Sequence, residues 1–99
     1  MSEEVLECVY VAIDEANEDR QDRPPLEKAL ETPIHGTASG LDSLGFINFV
    51  VAIEEEVERA FGVAIVLGDD RALSREPSPF ESVRTLVEYV DVLLSEQRS

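Results

Sequence analysis

Apolar residues recur at three- and four-residue spacings in three stretches of the chain. Val5, Leu6, Val9, Ala12, Ile13 and Ala16 draw one stripe down a helix that opens near Ser2, with Glu3 and Glu4 placed well against its positive N-terminal end. Phe46, Phe49, Val50, Ile53 and Val57 form a second stripe, which predicts a helix from about Ser43 to Phe61 closed by Gly62. Val83, Leu86, Val87, Val90 and Leu94 form the third, with Ser82 as its cap and Ser78 with Glu81 as a rival capping box slightly earlier.

Between the first two stripes "NEDRQDRPPLEK" breaks the pattern, since the Pro24-Pro25 pair stops a helix, and a long connection runs to about residue 42. Leu26, Leu30 and Ile34 are placed to pin this loop to the core, and a short helical turn fits over residues 26 to 31. Pro33 and Gly36 prevent one continuous helix there. After Gly62, Ile65 and Leu67 read as anchors in an extended linker, and "DDRALS" at 69 to 74 reads as a brief helix capped by Asp69 and Asp70. No alternating period marks a sheet. The expected fold is all-α: a four-helix bundle of three long helices and one short one, with a long loop between the first two.

Composition narrows what such a bundle does. The 99 residues form a single domain over 1–99, too small to enclose a deep active site, so binding or carrying ranks ahead of catalysis. Asp and Glu number 22 against 8 Lys and Arg, for a net charge of −14. Such a surface repels nucleic acid and anionic membranes, and it favours partners with basic patches. Cys8 is the only cysteine and lies in an apolar stripe, where it reads as a small buried residue rather than a redox or metal group. The acidic start and the absence of a long apolar run predict a cytoplasmic chain with neither signal peptide nor membrane span. A monomer is expected.

The candidate chemistry centres on "SGLDSLGF", residues 39 to 46. A hydrolase nucleophile elbow requires glycine two residues before and two after the serine; Gly45 fits, but Leu41 holds the other place and His35 is the sole histidine available as base. Asp42 or Ser43 also suits a helix cap. Neither use accounts for Leu44, Ile47 and Val51, which make a second apolar stripe on the same helix and lead into Glu54, Glu55 and Glu58. Aliphatics mixed with carboxylates on one helix face suit a docking surface. Asp69 and Asp70 lack the ligand spacing of a calcium loop, and no metal site is expected.

Asp42-Ser43-Leu44, opening a predicted second helix after a long loop, resembles the phosphopantetheine attachment motif of acyl carrier proteins. "VVAIEEEVERAFG" is similar to that family's second helix and "SVRTLVEYV" to its last, so the resemblance spans most of the chain. Two departures, the longer loop with its Pro-Pro pair and Gly45 where an acidic residue often follows, look like discrete bacterial carriers of specialised pathways.

The resemblance implies a non-enzymatic carrier whose Ser43 bears a covalent 4′-phosphopantetheine drawn from coenzyme A by a separate phosphopantetheinyl transferase, with Asp42 and Leu44 beside the attachment point. Asp42 would help present the serine and a magnesium ion to the transferase. It implies acyl or aminoacyl thioesters as cargo, handed among loading, elongating or transferring enzymes of a fatty acid, polyketide or other specialised pathway. Leu44, Ile47, Val51, Glu54, Glu55 and Glu58 would meet those partners. A peptidyl carrier shares the same attachment logic. An unmodified acidic adaptor that docks on a basic partner is the rival from a different class.

Overall fold

The computed structural model describes residues 3–18, 26–34, 43–67, 70–76 and 78–98. Among them the chain is helical without strands: α1 (Glu3–Glu18), α2 (Ser43–Phe61), α3 (Asp70–Ser74) and α4 (Val83–Arg98) form an all-α bundle in which α1 packs on both α2 and α4. The three long helices follow the periodicity of the sequence, and the short α3 falls within the "DDRALS" stretch expected to form a brief helix. The expectations for Pro24, Pro25, His35, Gly36, Leu41, Asp42 and Asp69 fall outside the described residues, as does the side chain of Ser43.

The predicted stripes are the core. Val5, Val9, Ala12 and Ile13 of α1, Phe49, Val50, Ile53 and Val57 of α2, and Val83, Leu86, Val87, Val90 and Leu94 of α4 are buried together. Phe46, half-buried at the start of α2, meets Phe80 edge-on at 5.1 Å between ring centroids. Gly62 ends α2 with φ at +69°, and its N–H donates to the Glu58 carbonyl at 2.8 Å, so an otherwise orphaned helix carbonyl is satisfied by the left-handed turn.

Two connections supply the rest of the packing. Residues 26–34 are tied at both ends. The Asn17 side chain accepts the Leu26 N–H at 2.7 Å and donates to the Leu26 carbonyl at 3.1 Å, acting on the loop as a neighbouring strand would. Farther on, the Leu30 and Thr32 carbonyls accept the Arg84 and Val83 N–H groups at 2.9 and 3.0 Å, so the loop satisfies donors that the first turn of α4 leaves open. Arg84 clasps the Glu31 carboxylate, and Ile34 is buried as expected. Over residues 26 to 31 there is no helical turn, because the carbonyls such a turn would use are taken by side chains, that of Leu26 by Asn17 and that of Glu27 by the Thr32 hydroxyl; a single turn closes from Thr32 N–H to the Ala29 carbonyl.

Ser82 caps α4 as expected, with Thr85 in the reciprocal role: the Ser82 N–H donates to Thr85 Oγ1 at 3.0 Å, and the Thr85 N–H reaches Ser82 Oγ at 3.4 Å. Ser78 and Glu81 form no rival box. The Ser78 hydroxyl instead accepts the Phe80 N–H at 3.2 Å and its carbonyl accepts the Glu81 N–H, making a turn before the helix.

Residues 70–76 meet α4 at two points. Arg71 is paired with Glu96 near the end of α4, and Arg75 lies 5.2 Å from the ring centroid of Tyr89, one helix-half earlier. Ala72 and Tyr89, outside the predicted stripes, are buried here, and Phe80 is buried where it meets Phe46.

Candidate functional site

Ser43 is the first residue of α2, the place where free backbone N–H groups and the helix dipole favour an anion. From there α2 presents two unlike faces. Phe49, Ile53 and Val57 point into the core, while Leu44, Ile47 and Val51 stay 67%, 56% and 43% exposed. At 3.6 residues per turn the exposed stripe is centred roughly 150° around the helix from the buried one. Glu55 and Glu58 continue it, both exposed.

Such exposure calls for an explanation. Single apolar residues on a surface are ordinary, but three in register on one face are a continuous apolar strip bordered by carboxylates. The core positions of α2 are filled by Phe49, Val50, Ile53 and Val57, so this strip is apolar surface beyond what the core takes in.

Glu54 differs from its neighbours. It is half-buried, and its Oε2 accepts the Leu67 N–H at 2.7 Å. The carboxylate thereby holds the linker that follows Gly62 against α2. Residues 63–67 alternate: Ile65 and Leu67 turn inward at 7% and 0% exposure, as the sequence led one to expect, and Val66 between them is 60% exposed. Nothing local in the sequence marks Glu54 for this bond, because its partner lies 13 residues away. Val66 was legible in principle, from the alternation of "VAIVL" between its two anchors.

The other reactive groups are in structural use. Cys8 is buried in α1 with its thiol directed at the Glu56 carbonyl, 3.8 Å away. Burial pushes its pKa up, and Glu7 and Glu4 push it the same way, so the thiol keeps its proton. At the far end of the bundle the hydrogen bond from Arg71 holds the Glu96 carboxyl below the usual carboxylate range. Among the described residues no group of three or more His, Cys, Asp or Glu could hold a metal ion, and no helix is long and apolar enough to cross a membrane.

Comparison with protein-family models, with curated proteins and with solved structures gives no match to this chain.

Proposed function

We propose that the chain is a carrier protein, modified on Ser43 and recognised by its partner enzymes through the exposed face of α2. The observation that carries this reading is the coincidence, on one helix, of a serine at its first position and an aliphatic strip turned away from the core. A carrier needs both: a hydroxyl in a fixed place, and next to it a surface that many enzymes can grip and release.

The chemistry asks little of the chain itself. The transferase supplies the base; the Ser43 hydroxyl loses its proton and its oxygen attacks the phosphorus of coenzyme A that bears the pantetheine arm. The pyrophosphate P–O bond breaks, and adenosine 3′,5′-bisphosphate departs. Once attached, 4′-phosphopantetheine supplies a terminal thiol that holds acyl or aminoacyl groups as thioesters. The helix start favours the resulting phosphodiester. Asp42 and Leu44 flank the attachment point, while Ile47 and Val51 give apolar contact beside it. Glu55 and Glu58 steer basic partners, an effect on encounter and orientation more than on affinity, which suits a protein that must leave one enzyme for the next.

Incubation with coenzyme A and a broad-specificity phosphopantetheinyl transferase tests the reading. Intact mass spectrometry is expected to show one added phosphopantetheinyl group on the wild type and none on Ser43→Ala. An unmodified wild type favours the adaptor reading instead, in which the same α2 face binds a basic partner and Ser43 is only a helix residue.

A further inference from the structure

Five large apolar residues are exposed among the described residues: Val11, Leu44, Ile47, Val51 and Val66. Three lie on α2 and a fourth, Val66, belongs to the segment that Glu54 fastens to α2. Glu54 stands one turn beyond Val51 and two turns beyond Ile47 on the same side of the helix. The Leu67 N–H is bonded to it, and Val66 is the adjacent residue. The bond therefore brings the backbone next to Val66 up to the flank of α2 that carries Ile47 and Val51.

We propose that the docking face extends from α2 onto Val66, and that Glu54 is a positioning residue which builds this face from beneath rather than a charge offered to the partner. The occupant is a protein surface with an apolar ridge bordered by arginine or lysine: the ridge covers Leu44, Ile47, Val51 and Val66, and the cations meet Glu55 and Glu58. Charge complementarity selects that partner. The chain carries a net charge of −14, Glu55 and Glu58 are exposed, and the one cation on α2, Arg59, is already paired with Glu56. Ile65 and Leu67 keep segment 63–67 on the bundle through their buried side chains, while the Glu54 bond fixes where its backbone, and with it Val66, sits against α2.

The inference deepens the carrier reading by naming further partner contacts, but its test does not require Ser43 to be modified. The probe is a synthetic amphipathic helical peptide with a leucine face flanked by arginines, titrated into the unmodified protein and followed by methyl and amide NMR. In the wild type, the Val66 methyls are expected to shift together with those of Leu44, Ile47 and Val51. Glu54→Gln keeps an oxygen acceptor for the Leu67 N–H and should bind within about twofold of wild type, whereas Glu54→Ala removes it and should weaken binding by about fivefold or more. Val66→Ser, an exposed change that leaves the core intact, should weaken binding by a similar factor and be non-additive with Glu54→Ala.

A Gln variant as weak as the Ala variant would make Glu54 a contact charge and overturn its positioning role. Wild-type affinity in Val66→Ser, or an unresponsive Val66, would end the face at α2. Absence of any peptide binding would overturn the surface altogether. Peptide binding with no modification of Ser43 would leave the docking face standing and remove the carrier reading.

Discussion

The two hydrogen bonds between the Asn17 side chain and the Leu26 backbone, with the exposed Lys28–Asp14 ion pair beside them, join the last turns of α1 to the loop that caps α4. Replacing Asn17 by Ala deletes both. A typical intramolecular hydrogen bond contributes about 0.5–1.5 kcal/mol net. Asn17 and Leu26 are only half-buried, so water can reach the freed N–H and C=O and the lower half of that range applies to each. The expected loss is about 1–2 kcal/mol, or roughly 5–10 °C in Tm for a domain of this size. Asn17→Asp should be no better than Ala despite its shape. One carboxylate oxygen would accept the Leu26 N–H, but the other would face the Leu26 carbonyl, and a further negative charge would join a chain already at −14. Urea unfolding followed by far-UV circular dichroism measures both variants, with unchanged m-values as the sign that two-state unfolding is preserved. Losses within about 0.5 kcal/mol, the range of an inert surface substitution, would refute the claim that this clamp holds the loop.

Three further outcomes follow from single residues. Gly62→Ala meets no atom within 4 Å, so its cost is the left-handed backbone alone; a loss of about 1–2 kcal/mol by the same unfolding assay is expected. Cys8 should react with iodoacetamide far more slowly in the folded protein than in urea, and its alkylation rate should follow the fraction unfolded as urea rises. Glu96 has its carboxyl held low by Arg71, so this pair's contribution is present above the unfolded-state value and is lost as pH falls through the folded one; Arg71→Ala should flatten that part of the acid limb in a pH series of melts.

Local periodicity made most of the bundle readable, and contacts between distant segments account for what it missed. The stripes from Val5 to Ile13, Phe49 to Val57 and Val83 to Leu94 are buried because 3.6-residue spacing alone places them on one side of each helix. Tyr89 and Phe80 do not belong to that spacing. Tyr89 lies under Arg75 from the segment after α3, and Phe80 packs edge-on against Phe46 of α2; the sequence carries no local sign of either contact. The same holds for the loop carbonyls of Leu30 and Thr32, which cap a helix some 50 residues later. At the candidate site the division is similar. The exposure of Leu44, Ile47 and Val51 is a helical register and could be read in advance, whereas Glu54 looked like Glu55 and Glu58 until its bond to Leu67 set it apart.

The carrier reading stands or falls on one hydroxyl. Ser39 lies four residues before Ser43 in the same motif-bearing stretch and is the natural rival acceptor. After treatment with coenzyme A and the transferase, tandem mass spectrometry of the peptide containing both serines assigns the modification. The account predicts the phosphopantetheinyl group on Ser43 in every modified fragment series. Fragments that place it on Ser39, or a peptide that carries no added group at all, would contradict it.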